Sequence, residues 1–318
     1  MTPKPLHYIC LFVALFAMVS CKELIEPSIQ KRPVNLLAPG QGFESKNYNV
    51  TFWWDDVEDA LQYRLQIVTP GFDNIGALFA DTLVKGSNKI TLSLTPGVYE
   101  WRLRAENGSS ETVFSQPRKF TIVQSSIGNQ AVQLTAPTNG ALTNQQGVTF
   151  QWGSLYGATT YRLQIDTNNF ADTVKLIYNH QLPGLQFSFS FPRDQQYQWR
   201  VRAENDTARA QWSTVRTIRF DHTPPGQVTL SGPGKAEVVA LPVSLQWNSV
   251  ATASVYKLYV FKGDSTTNYN NSFPVIIDGT NRSFNLGNPA DRIYWKVSAL
   301  DAVGNEGQAS VLRNFVVK

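Results

Sequence analysis

Apolar residues recur at every second position through most of this chain. Ile90, Leu92 and Leu94 alternate with polar neighbours, as do Phe187, Phe189 and Phe191, and Phe284 and Leu286. Tyr63, Leu65 and Ile67 fall on one side of such a run, Arg64 and Gln66 on the other. A period of two is that of a strand with one buried face. Turn-formers separate the runs, in Ala38-Pro-Gly-Gln-Gly42, Thr95-Pro-Gly97, Ala136-Pro-Thr-Asn-Gly140 and Gly232-Pro-Gly234. The pattern predicts about seven short strands in each stretch of roughly 90 residues, which is the content of an antiparallel two-sheet sandwich.

The strand pattern occurs three times. Val50-Thr-Phe-Trp-Trp54 returns as Val148-Thr-Phe-Gln-Trp152 and Val243-Ser-Leu-Gln-Trp247, after 98 and 95 positions. Nine residues beyond each final tryptophan stands a tyrosine: Tyr63, Tyr161 and Tyr256. A second tryptophan follows in Tyr99-Glu-Trp101-Arg-Leu-Arg-Ala, Tyr197-Gln-Trp199-Arg-Val-Arg-Ala and Ile293-Tyr-Trp295-Lys-Val-Ser-Ala. Self-similarity at a fixed period marks tandem copies of one folding unit. The units fall at 34–124, 131–221 and 227–318. Between them, Ser125–Gln130 reads as a flexible linker and Asp221-His-Thr-Pro-Pro-Gly226 as a proline-stiffened one. The fold class expected is all-β, with three tandem sandwiches.

These residues carry a resemblance to bacterial fibronectin type III-like domains over nearly all of 34–318. It rests on Trp54, Trp152 and Trp247 in the second strand, on the Ala-x-x-Tyr opening of the third (Ala60–Tyr63), and on the Tyr-x-Trp-Arg pattern of the sixth. The resemblance implies an immunoglobulin-like sandwich. It places Tyr99 and Tyr197 at a tyrosine corner, which the third copy lacks because Ile293 stands there.

The first residues follow a different pattern. Lys4 precedes an eleven-residue apolar run, Ile9–Val19, too short to span a bilayer and shaped like an export signal. The run ends in Met18-Val-Ser-Cys21, which resembles the bacterial lipobox. That implies a signal peptide over 1–20, cleavage before Cys21, and acylation of the cysteine, with 21–33 as a lipidated tether. Several acyl chains anchor a protein stably where one does not. Lys22-Glu23 resembles the export tag of Bacteroidetes surface lipoproteins, so the expected address is the outer membrane, facing outward. A periplasmic-facing or secreted protein is the alternative. The chain has two cysteines. Cys10 leaves with the signal and Cys21 is acylated, so no thiol remains for a disulfide, a metal or a nucleophile.

Composition narrows the function. The 318 residues carry a net charge of +4 and only 16% charged residues, without a basic cluster, which argues against nucleic-acid binding. Eight Trp, twelve Tyr and eighteen Phe rule out a disordered chain. Three scattered histidines (His7, His180 and His222) do not form a triad or a zinc site, so neither an enzyme nor a cofactor or metal is expected. Asp55, Asp56, Glu58 and Asp59 read either as oxygen donors for calcium or as a solvated loop. Arg64, Arg102 and Arg104, repeated as Arg162, Arg200 and Arg202, read either as a face for an anionic polymer or as partners of Glu106 and Glu204.

Trp53 and Trp212 are left over from the repeated core positions. Trp212 reads as a core-edge residue. Trp53 adjoins Trp54 on one strand, so one ring points in and the other out, where the sister copies carry Gln151 and Gln246. An outward Trp53 is the candidate binding residue, because an indole stacks on a sugar ring; packing beneath a loop is the other reading. The function expected is a non-catalytic surface lipoprotein acting as a binding or spacer module, with a protein or polysaccharide partner. The alternative is a glycan-binding accessory of a polysaccharide-uptake system. Copy two's opening resembles the N-terminal domain of starch-utilisation surface lipoproteins.

Overall fold

A computed structural model describes residues 26–318; the predicted signal and Cys21 lie outside the described residues. The chain divides into two compact units, one running to Gln130 together with Leu155–Gly157, the other comprising Ala131–Ser154 and Ala158–Lys318.

The first unit holds one sandwich of eight strands: β1 (Leu36–Ala38), β2 (Phe43–Ser45), β3 (Asn49–Trp54), β4 (Gln62–Gly71), β5 (Asn74–Lys85), β6 (Lys89–Ser93), β7 (Gly97–Glu106) and β8 (Arg118–Ile122). One sheet has the order β1-β3-β6 and the other β2-β8-β7-β4-β5. The eighth strand arises because the first is split. Pro39 has no amide to donate to a ladder, so β1 ends there after pairing antiparallel with β3. The chain then crosses to the second sheet, where β2 pairs parallel with β8.

The core between the sheets is aromatic. Phe52, Trp54, Trp101 and Phe120 are fully buried, with Phe52 edge-on to Trp101 at 5.1 Å between centroids. Trp101 also donates its indole N–H to the Pro39 carbonyl at 3.2 Å. The tyrosine corner is formed: the Tyr99 hydroxyl donates to the Thr95 carbonyl at 2.9 Å.

Two segments read as free chain are packed on this sandwich instead. The expected tether is corrected over residues 26–33. Ile29 is fully buried and its amide donates to Ser110 Oγ at 2.9 Å. Asn107 Nδ2 donates to the Pro27 carbonyl at 2.9 Å, and Ser109 Oγ to that of Glu26 at 3.0 Å. A lone Ile29 among polar residues has no periodicity, so the pattern could not reveal its burial. The linker Ser125–Gln130 is likewise ordered. Gln130 is buried, accepts from the Tyr48 amide at 2.9 Å and donates to the Lys46 carbonyl at 2.7 Å.

The second unit repeats the plan twice. Its first sandwich comprises β9 (Leu134–Ala136), β10 (Ala141–Thr143), β11 (Gly147–Trp152), β12 (Thr160–Asp166), β13 (Tyr178–Leu182), β14 (Gln186–Ser190), β15 (Gln195–Glu204) and β16 (Arg216–Phe220). The other comprises β17 (Leu230–Gly232), β18 (Glu237–Val239), β19 (Val243–Trp247), β20 (Val255–Phe261), β21 (Val275–Ile277), β22 (Asn281–Phe284), β23 (Arg292–Leu300) and β24 (Arg313–Val317). Sheet orders match those of the first unit, β14-β11-β9 with β10-β16-β15-β12-β13, and β17-β19-β22 with β18-β24-β23-β20-β21. Trp152, Trp199, Trp247 and Trp295 are buried. Tyr197 makes the corner through a 2.8 Å bond to the Arg193 carbonyl, whereas Ile293 is simply buried. The connection 221–226 is pinned, because Asn305 Nδ2 donates to the Asp221 carbonyl at 2.9 Å and Gly307 lies against the Pro225 carbonyl too closely for a side chain. The fold is all-β, three tandem immunoglobulin-like, fibronectin type III-like sandwiches.

Candidate functional site

Along β3 the side chains of Val50, Phe52 and Trp54 enter the core, so Thr51 and Trp53 face outward. Trp53 is 46% exposed, the expected outward member of the pair. In register it opposes Lys89 on β6 and Ala38 on β1. On the same face the hydroxyls of Thr51 and Thr91 are bonded to each other at 2.8 Å. Beside them a cleft of about 250 Å³, lined by Ala38, Pro39, Gly40, Phe43 and Thr51 among others, opens where the first strand leaves one sheet for the other. An exposed indole next to hydroxyls and a shallow apolar cleft can take a flat ring that is apolar on its face and polar at its rim. In the second sandwich Gln151 stands in place of the indole and bonds Gln186 at 3.3 Å.

The repeated arginines lie on the outer face of the larger sheets, and their charges are engaged within the protein. Arg64 bonds Glu106 at 3.0 Å and Asp81 at 2.9 Å, and Arg104 bonds Glu106 at 2.9 Å. Glu204 likewise receives Arg162 at 2.9 Å and Arg202 at 2.7 Å. Burial pushes the Glu106 and Glu204 carboxyls up, but hydrogen bonds from their arginines outweigh it and hold both below the ordinary carboxylate range. Arg102 donates to Gln66 and sits between the rings of Phe72 and Phe114, at 4.2 and 4.3 Å. Arg200 repeats this between Phe170 at 4.0 Å and Trp212 at 4.4 Å. Trp212 is therefore on the outer face, not at the core edge as its sequence context suggested. Four of the six arginines, Arg64, Arg104, Arg162 and Arg202, are thus partners of Glu106 and Glu204, whereas Arg102 and Arg200 bond glutamines and lie over aromatic rings.

Within the acidic loop, Arg32 pairs with Glu58 and, at 2.6 Å, with Asp59. Among the described residues no group of three or more His, Cys, Asp or Glu side chains is placed to hold a metal ion. The His180 ring lies tilted against that of Tyr178 on β13, 4.7 Å between centroids, and His222 lies in the connection after β16. Trp53 and the acidic loop belong to the first unit, His180 and His222 to the second.

One surface had no place in the sequence reading. The β4–β5 hairpin has strands of ten and twelve residues, against seven and five in β12–β13 and seven and three in β20–β21. β5 is an edge strand on which Ile75, Leu78 and Leu83 are 54%, 58% and 40% exposed. The run Ala77-Leu-Phe-Ala80, apolar at consecutive positions, was the available signal.

The geometry defines a tandem sandwich protein with an outward aromatic platform on its first copy. No protein-family model matches the chain, and no curated protein matches it in sequence. Among solved structures it is similar to the FN1–FN3 domains of chicken CNTN1, at 16% identity over 90% of this chain and 97% of that one, with a TM-score of 0.40.

Proposed function

We propose that this chain is a non-catalytic outer-membrane lipoprotein, held by acylated Cys21, whose sandwiches serve at the cell surface as a binding or spacer module. The apolar run ending in Met18-Val-Ser-Cys21 supports the anchor. Among the described residues no helix is long and apolar enough to cross a membrane. Mass spectrometry of the mature N-terminus tests it, with an acylated Cys21 expected and a free thiol overturning it. Protease that removes the sandwiches from intact cells supports outward display, and full protection sinks it.

A second, finer reading is a glycan-binding accessory of a polysaccharide-uptake system. The observation favouring it is the solvent-facing indole of Trp53 beside the hydroxyls of Thr51 and Thr91. Titration of residues 26–318 with soluble polysaccharides, followed by tryptophan fluorescence, is the test. A saturable shift that disappears in Trp53→Ala carries the glycan reading. A flat response from every polysaccharide leaves a spacer or protein-binding module.

A further inference from the structure

We propose that the end of the first sandwich bearing the 55–61 and 107–111 loops is a lipid-headgroup-facing surface, set against the membrane by the docked segment 26–32. The inference rests on the acylation of Cys21. Its own ground is where the chain becomes fixed.

Glu26, Pro27 and Ile29 are bonded to Asn107, Ser109 and Ser110. Arg32 ties the same segment to Glu58 and Asp59. The polypeptide is thus pinned to both loops at one end of the sandwich from residue 26 onward. From Cys21 to Glu26 the backbone spans five residue steps, and a chain extends at most about 3.6 Å per residue, so this end lies within roughly 18 Å of the acylated cysteine. The opposite end lies one ten-residue strand, β4, farther away. At about 3.3 Å per residue that is roughly 30 Å. A tether running free to residue 33 would add seven steps and let either end approach the bilayer.

The chemistry of the facing end is that of headgroup contact. Asp55, Asp56, Glu58, Asp59 and Glu111 lie there, with Glu58 and Asp59 paired to Arg32 and Glu111 to Arg104; Ile29 and Val57 are turned inward, while Leu61 and Val113 are exposed. An acidic end is repelled by anionic lipids over about a Debye length, 8–10 Å at physiological salt, so neutral headgroups are the suitable probe.

The test uses the full acylated protein in phosphatidylcholine vesicles carrying a headgroup nitroxide. A fluorophore is placed on Asp55→Cys at the docked end or on Asp73→Cys at the β4–β5 turn; both residues are exposed. Several-fold stronger quenching at position 55 than at 73 is expected. A twenty-residue Gly/Ser insertion between Ile25 and Glu26, which leaves the sandwich untouched, should abolish the difference. Equal quenching at the two positions in the uninserted, vesicle-bound chain overturns the proposal while sparing the lipoprotein reading. A chain without acyl mass on Cys21 that stays off the vesicles overturns the lipoprotein reading, and the proposal with it.

Discussion

Arg200 holds its guanidinium carbon 4.4 Å from the ring of Trp212, with Phe170 at 4.0 Å, and no carboxylate within ion-pair distance among the described residues. Burial, followed by the neighbouring Arg202 charge, lowers its pKa. The two rings supply part of what lost hydration removes, since a desolvated cation over an aromatic face gains up to about 2 kcal/mol. Trp212→Ala should therefore cost about 1–2 kcal/mol in denaturant unfolding of residues 131–318, and an unchanged midpoint would refute this role. Phe114 holds the equivalent place over Arg102 at 4.3 Å.

Acid should loosen the sandwiches through Glu106 and Glu204. Their folded-state carboxyls lie below the ordinary value of about 4.3, so each contributes stability at neutral pH that is lost as pH falls through that value toward the lower folded one. Melting temperatures recorded from about pH 6 to pH 2.5 should decline over this window. Glu204→Gln should flatten the decline and lower stability at neutral pH, because two arginines then lose their acceptor charge. A parallel decline in the variant would exclude Glu204 as a source.

Ile29 is the apolar peg of the docked N-terminal segment. Ile29→Ala removes a fully buried side chain and should destabilise the first sandwich by about 2–5 kcal/mol. A chain beginning at Val34 should unfold earlier than one beginning at Glu26. Coincident thermal transitions for the two would show that the segment adds nothing to the fold.

Trp53 and Trp54 provide a matched pair on one strand. Trp54→Ala empties a fully buried site and should cost about 3–5 kcal/mol. Trp53→Ala changes a half-exposed ring and should cost less than about 1 kcal/mol while retaining the native melt. That retention makes Trp53→Ala a usable binding variant, and a large loss of stability would disqualify it.

The three-fold pattern Trp54, Trp152 and Trp247, with period-two alternation around it, was enough to specify the sandwiches, and the family resemblance carried by the same residues placed Tyr99 and Tyr197 at their corners. These features are local in the sequence: alternation decides which face of a strand is buried, and Trp53 beside Trp54 must turn the opposite way. Neither the split of the first strand at Pro39, Pro137 and Pro233 nor the parallel pairing of β2 with β8 is written in that alternation, since the split follows from a proline without an amide to donate and the pairing from a ladder partner some 77 residues away. The same holds for the charges. Arg64 and Glu106 meet because β4 and β7 are neighbours in the sheet, and Trp212 covers Arg200 because its loop folds over the outer face. Ile29 is the sharpest instance. A single apolar residue carries no period, and only the cavity presented by the folded loops, with Ser110 to receive its amide, makes it part of a core. Periodicity reports burial along a strand, whereas burial of isolated residues and the partners of surface charges are set by which distant segments the fold brings side by side.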